Sequence, residues 1–566
     1  MEAGGGARRA PRYARRRRRS RLALPLVAIA VGAFAAGLVL AAAPGRSERA
    51  LVTQYMRAWS REDYRAMYAL LAPATTRTIT EPRFAAAYRG AAETATLVVV
   101  STRSVGSRRG DFVPVRVRAR TRLFGTLTET LSVPLVGTGS SARIRFTPAL
   151  TFPGLAPGER LTRRIQMPPR ATLLAADGTP LATGPARSSP VPAVASAIVG
   201  VLGPIPAAQA GTYVAEGYPR NAKVGLDGLE RVFERRLAGT PGGTLVAGRR
   251  VLAFRAPTPA GAVRTTISPS IERAVISAIG GRYAGMVAMD PRTGAILGAA
   301  GIAFSGLQPP GSTMKIITAT AALEAGIVKL DDTFPVATSA TIDGYTLHNA
   351  GGEACGGTLV NAFAVSCNSV FAPLGARLGG ARLVAAAERF GFDQPPPFPG
   401  AAESTIPSAA RIGGALDVGS SAIGQGKVQA SALEMTDAAA AIAIGGARPA
   451  PTLLAGRRPV FVRATTPQVA ALVQRMMIAV VSHGTGTAAQ VPGVEIAGKT
   501  GTAEIVDAAA PGASAPQSTD SWFVGYGPVG APRIVVGALF PGQGAGAATA
   551  APAVHEVLAV ALTGRS

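Results

Sequence analysis

The sequence predicts a multidomain α+β protein with a single N-terminal transmembrane helix, and three observations carry that expectation. At 566 residues the chain is too long for one hydrophobic core, and length alone suggests about three or four domains. An uncharged run of 22 residues, Leu22 to Ala43, is long enough to cross a bilayer core of about 30 Å as a helix. Beyond it occur both segments of helical period and segments that alternate apolar with polar residues.

In order along the chain, residues 1–21 are a basic tail holding nine arginines. Arg15 to Arg19 stand just before the apolar run at 22–43, so the positive-inside rule keeps the N-terminus in the cytoplasm and sends everything after Pro44 outside. A cleaved secretory peptide is the alternative, since Ala41-Ala42-Ala43 resembles a cleavage site. The apolar core of such peptides is only about 7–15 residues, which favours a retained anchor. Ser47 to Leu71 reads as two amphipathic helices with Tyr55, Trp59, Tyr64 and Tyr68 at core spacing. From Val113 to Leu123 the chain alternates, with Val115, Val117 and Ala119 on one face and Arg116, Arg118 and Arg120 on the other. Helices followed by a sheet make a small α+β domain over residues 47–147. The Pro/Gly-rich passage Pro148 to Pro169 reads as a linker, and the short, broken elements up to residue 260 as an extended connecting domain.

From about Gly261 to the end the pattern sharpens. Met286 to Asp290 and Ala295 to Ala299 flank Pro291-Arg-Thr-Gly294 as a β-hairpin does. Ser312, after Pro309-Pro310-Gly311 and before Met314, Ile316, Ile317 and Leu323, should open a buried helix whose free N–H groups favour developing negative charge. Lys315 lies one turn on, so the two side chains should touch.

The formal charge is +26, yet the arginines beyond the tail are scattered and no aromatic residues interleave with them, which speaks against a nucleic-acid partner. A polyanionic cell envelope fits the charge equally well. Cys355 and Cys367 would face an oxidising compartment and either bridge, closing a loop against Ser366, or remain two small buried thiols. Three separated histidines (His348, His483, His555) and no His-Glu-x-x-His leave no metal site, and no cofactor is expected.

Only five residues are lysine against 53 arginines. Arginine stays charged at any biological pH, whereas a desolvated lysine amine can release its proton and act as a base. Two of the five lie in Ser312-Thr-Met-Lys315 and Lys499-Thr500-Gly501, with Ser366-Cys-Asn368 between them. Each motif alone is weak; the three in order are specific. Gly493 to Thr500 also spells a formal phosphate loop, Gly-x4-Gly-Lys-Thr. Its intervening Val, Glu, Ile and Ala suit a strand, a glycine follows where a helix should continue, and nucleoside triphosphate is scarce outside the membrane. A Ser-His-Asp hydrolase finds no Gly-x-Ser-x-Gly elbow here.

With these residues in hand, the chain resembles a class B penicillin-binding protein, a peptidoglycan D,D-transpeptidase. Gly225-Leu-Asp-Gly-Leu-Glu230, Leu237 to Gly243, Ile423-Gly-Gln-Gly426, Gly484-Thr-Gly486 and Ser521-Trp-Phe523 are further matches in the family's order. The first extracytoplasmic domain is similar to the NTF2-like domain of one subset, residues 148–260 to the family's dimerisation-type domain, and residues 261–566 to its β-lactamase-like transpeptidase domain, which implies an antiparallel sheet flanked by helices. The connecting-domain pattern departs at Arg170 to Gly178, where an Asp-Arg pair is missing, which puts that domain's internal contacts in question.

The resemblance implies an acyl-serine mechanism on stem peptides, inhibited by β-lactams. It makes Ser312 the nucleophile, Lys315 its base, Ser366 a proton relay and Asn368 a partner of Lys315 or of the substrate amide. Lys499 and Thr500 would hold the terminal carboxylate, Gly501 would admit the substrate backbone, and the N–H groups of Ser312 and Thr502 would form the oxyanion hole. A D,D-carboxypeptidase or β-lactamase would use the same serine with water as the acceptor. Glu388, Glu403 and Glu434 lack the surroundings of a class A β-lactamase base. The family further implies a glycan polymerase of the SEDS type as partner, and anchorage in the cell membrane by one helix.

Overall fold

The structure, a computed structural model, describes residues 45–505 and 518–564. The basic tail and the apolar run 22–43 lie outside the described residues. Among the described residues no single helix is long and apolar enough to cross a membrane. The chain divides into two compact units. One runs to Gln166 and takes in Ala215–Gly217 and Gly242–Ala256, and the other comprises Met167–Val214, Tyr218–Pro241 and the chain from Pro257.

In the first unit, helices α1 (Arg46–Ser60), α2 (Tyr64–Ala69) and α3 (Glu81–Ala95) back an antiparallel sheet. Its strands β1 (Leu97–Val105), β2 (Phe112–Thr121), β3 (Thr126–Val136) and β4 (Arg143–Ile144) lie in that spatial order. Helical spacing turns Tyr55 and Trp59 inward, where they meet Phe84 and Tyr88 of α3 and Val113, Val115 and Val117 of β2. The Tyr55 and Tyr88 hydroxyls, both cut off from water, satisfy each other at 2.6 Å. α2 starts where the Asp63 carboxylate accepts the Ala66 N–H at 2.9 Å. β2 alternates as its sequence requires, with Val115, Val117 and Ala119 inside and Arg116, Arg118 and Arg120 exposed.

The passage expected to be a linker contains a strand. β5 (Leu161–Gln166) runs antiparallel to β6 (Gly242–Ala247), which pairs with β7 (Arg250–Arg255). Proline and glycine marked the bends correctly, but the partner strand lies far along the chain, and local patterning carries no trace of it.

In the second unit the departure at Arg170 does not leave the segment without internal contacts. Arg170 reaches Glu230 Oε2 at 2.6 Å and Glu234 Oε2 at 2.8 Å, and Arg187 reaches Glu230 Oε1 at 2.6 Å. The C-terminal portion is built on β8 (Gly285–Asp290), β9 (Ala295–Gly301), β10 (Ala497–Ile505), β11 (Ser518–Gly527) and β12 (Ile534–Phe540), an antiparallel sheet in the order β9-β8-β12-β11-β10. One face is covered by α4 (Pro269–Ile279) and α10 (Ala550–Thr563), the other by α8 (Ala432–Ala443) and α9 (Pro467–Ser482). Coverage on both faces explains why every residue of β12 is apolar or glycine and buried. Helices α5 (Lys315–Glu324), α6 (Leu359–Ala364) and α7 (Asn368–Leu378) carry the first two motifs; α5 packs on α7 and on α9, and α6 on α9. β10, carrying the third motif, is the sheet's edge.

Removing Glu230 would leave the largely buried Arg187 without its carboxylate and Arg170 with Glu234 alone. Glu230→Ala is therefore expected to cost about 3–5 kcal/mol, read as a lowered Tm. A change within about 0.5 kcal/mol would mean that the cluster does not hold this segment together.

Candidate active site

Ser312 sits in a 3-10 turn, Gly311–Met314, that runs directly into α5, so the α-helix proper begins at Lys315, one turn later than the sequence leads one to expect. It is partly exposed, while Thr313, Met314 and Lys315 are buried. Gly311 has φ +52°, and a Cβ there would lie 2.6 Å from the Thr502 carbonyl oxygen, so only glycine lets the turn close on β10. Its N–H donates to Gly424 O at 2.9 Å, which ties the turn to the Ile423-Gly-Gln-Gly426 segment.

Lys315, the first residue of α5, is fully buried. Its Nζ lies 2.7 Å from Ser366 O, 2.7 Å from Asn368 Oδ1 and 3.3 Å from Ser366 Oγ. The expected hydrogen bond to Ser312 is not formed. The physical reason is the acceptor set: a carbonyl and an amide oxygen can only accept, so they claim two N–H groups. In the neutral amine that leaves one lone pair for a hydroxyl proton. Burial, and then the neighbouring Lys499, hold the Lys315 amine well below the usual lysine range.

Ser366 lies between α6 and α7 with φ +65°, a left-handed conformation that costs a non-glycine residue energy and recurs at functional sites. Its Oγ stands between two amines, 3.3 Å from Lys315 Nζ and 2.9 Å from Lys499 Nζ. Cys367, the N-cap of α7, is bonded to Cys355, with Cα atoms 5.8 Å apart. Asn368 Nδ2 donates to His348 O at 3.0 Å. Asn349 went unnoticed in the sequence because it belongs to no motif. It is buried, accepts the Ser369 N–H at 2.8 Å and donates to Ala337 O and Glu353 O.

Lys499 is fully buried in the middle of β10, opposite Val524. This placement speaks against the phosphate-loop reading, since the N–H groups of an extended strand point alternately to its two sides and do not converge on one anion. Lys499 Nζ also donates to Thr500 O at 3.0 Å, and burial lowers its pKa to about 7. Phe363 and Phe371 lie 5.5 and 5.6 Å from the Lys499 and Lys315 amines. Thr500 Oγ1 pairs with Thr485 Oγ1 at 2.5 Å, which brings the Gly484-Thr-Gly486 segment into the site. Thr502 Oγ1 accepts the Gly546 N–H at 3.3 Å. At Gly501 a Cβ would lie 2.8 Å both from Pro310 O and from Trp522 Cβ, so packing against the serine turn and β11 also calls for glycine here. All eight residues singled out in the sequence thus converge on the serine turn and β10.

Comparison with known proteins agrees with this architecture. Residues 284–559 match the penicillin binding protein transpeptidase domain, and residues 166–250 the penicillin-binding protein dimerisation domain. The chain belongs to the class B penicillin-binding protein transpeptidases. Among similar proteins is the peptidoglycan D,D-transpeptidase PbpA of Mycolicibacterium smegmatis, 31% identical over 62% of this chain and 80% of that protein. PbpA of Mycobacterium tuberculosis is 35% identical over 46% of this chain, a match that spans only 56% of its own length. A crystal structure of PBPA from M. tuberculosis superposes with TM-score 0.56 at 27% identity, covering 70% of this chain and 99% of that one. Another structure of that protein is an imipenem acyl-enzyme complex, with TM-score 0.55 at 27% identity over 70% of this chain and 99% of that one.

Two predictions follow from this geometry. No free thiol should titrate in the denatured, unreduced protein; reactive thiols there would contradict the bridge. For Lys499, the folded pKa lies below the unfolded one, so between about pH 7 and 10.4 the unfolded chain binds more protons and stability rises with pH. The Tm of the wild type should therefore climb more steeply from pH 7 to 9 than that of Lys499→Gln, and equal slopes would place a charged amine in the folded site.

Proposed function

We propose that the protein is a serine-type peptidoglycan D,D-transpeptidase that joins stem peptides through an acyl-serine intermediate and is acylated by β-lactams. The observation that carries this reading is a single hydroxyl, Ser366 Oγ, held between two buried amines, one of them on Lys315, one helical turn after the partly exposed Ser312.

In this mechanism Lys315, neutral at working pH, takes the Ser312 proton as Oγ attacks the carbonyl between two terminal D-alanines. The oxyanion forms against the N–H groups of Ser312 and Thr502; the closeness of Gly311 to Thr502 favours this pair, and each such donor is worth about 3–4 kcal/mol in comparable enzymes. As the tetrahedral intermediate collapses, the C–N bond breaks and the proton passes through Ser366 to the departing D-alanine amine. Asn368 fixes the direction of the Lys315 amine, while Lys499, Thr500 and Thr485 receive the substrate carboxylate. β10 is paired on one side only, so an extended stem peptide can lie along its free edge. A second stem peptide's amine then attacks the ester and releases Ser312.

The wider setting belongs to the same proposal. The first unit is NTF2-like, supported by its helices backing a four-stranded antiparallel sheet. Residues 22–43 anchor the chain in the cell membrane with the catalytic portion outside, supported by the basic tail and the length of the run. A SEDS-type glycan polymerase supplies the strands to be joined.

Labelling with a fluorescent penicillin followed by peptide mass spectrometry should locate the adduct on Ser312. Lys315→Arg keeps the charge and cannot act as base, so acylation should slow by about 10²–10⁴-fold. An adduct on another serine, or ordinary acylation of Lys315→Arg, would remove this assignment.

A further inference from the structure

The first unit carries a group of arginines at the end where the chain enters it. Arg46 and Arg49 lie in the first turn of α1. Arg49 donates to Gly106 O at 3.4 Å and to Ser107 Oγ at 3.0 Å, and Glu48 Oε1 accepts the Gly139 N–H at 2.8 Å. These bonds hold the start of α1 against two connections, 106–111 between β1 and β2 and 137–142 between β3 and β4. Arg108 and Arg109 lie on the first connection, and Arg143 and Arg145 directly follow the second. The carboxylates of these segments are already engaged: Glu48 stands 3.7 Å from Arg108, and Asp111 2.8 Å from Arg145. Among the described residues no carboxylate pairs with Arg46, Arg49, Arg109 or Arg143, and all four are exposed. Val136, opposite Arg143 where β3 meets β4, is an exposed apolar residue at the same end.

Covalent geometry decides what this end faces. The apolar run stops at Ala43, three residues before Arg46, and an extended chain covers at most about 3.3–3.6 Å per residue. With residues 22–43 in the membrane, α1 therefore starts within about 11 Å of the end of the run. Charges act on lipid phosphates over about 8–10 Å in physiological salt, so the arginines bonded to that start lie within range. β2 leads away from this end, and Arg120, nine residues beyond Asp111, is about 30 Å along it and out of range.

We propose that this end of the first unit rests on anionic lipid headgroups, with Arg46, Arg49, Arg109 and Arg143 on lipid phosphates and Val136 at the apolar boundary. The proposal depends on the reading of residues 22–43 as a membrane anchor. Phosphate oxygens supply the anionic acceptors that these four guanidinium groups lack. The contact also fixes how the unit stands on the membrane, which one covalent tether leaves free to rotate.

The test places the full-length protein in nanodiscs of phosphatidylcholine alone, or of phosphatidylcholine mixed with phosphatidylglycerol. Arginines are then modified with phenylglyoxal, and the rate at each residue is read by peptide mass spectrometry. Insertion into both kinds of disc tests the anchor, whereas the difference in modification between them tests the surface. Arg46 and Arg109 should react about threefold more slowly, or slower still, in the anionic discs, and high salt should abolish the difference. Arg118 and Arg120 should react alike in both. Equal reactivity of Arg46 and Arg109 in the two discs, or equal protection of Arg120, would overturn the proposal. So would the same protection in phosphatidylcholine discs on adding glycerol phosphate, which would mark a site for a soluble anion. A protein that enters neither disc would refute the anchor itself, and the proposal with it.

Discussion

Two lysine amines buried within reach of one serine hydroxyl set the terms for everything around them. An ammonium removed from water is costly unless it is paired, and among the described residues no carboxylate bonds to either amine. The structure answers with neutral acceptors: the carbonyls of Ser366 and Thr500, the Asn368 amide, and the faces of Phe363 and Phe371. Such partners orient an amine while tolerating its neutral form, which a carboxylate would oppose. The lowered pKa of both lysines is thus a result of what surrounds them, and the surroundings are also what fix their direction.

Holding Ser366 between those amines requires a backbone that most residues avoid, and several restraints share the work. Its left-handed conformation reverses the chain between α6 and α7, the disulfide at Cys367 secures the next residue, and Asn349 clasps the start of α7 through Ser369. On the opposite wall, glycines at 311 and 501 let the serine turn and the edge strand approach at backbone distance. A side chain at either position would separate the nucleophile from the strand that orients its substrate.

Much of the fold was legible because periodicity reports which face of an element is buried. The two N-terminal helices, the Arg116-Arg118-Arg120 face of β2 and the hairpin around Gly294 all follow their patterns. The strand within residues 148–169 did not declare itself, since its partner β6 is remote in sequence. Helical spacing brought Lys315 to the same face as Ser312 but could not show that stronger acceptors, 51 and 53 residues further on, would claim its protons. Asn349 illustrates the same limit: it is ordinary in its local sequence and acquires a role only from what it touches.

By itself, the sequence determined the chemistry on offer: a serine, two lysines kept where arginine would not serve, and glycines where the chain must come close. Tertiary structure alone decided that Ser366 and Lys499, 133 residues apart, share a hydrogen bond, and that both amines are dry enough to lose a proton. The reason is physical. Residue type and local period are written along the chain, whereas desolvation and hydrogen-bond competition depend on groups that meet only after the sheet and its flanking helices have closed around them.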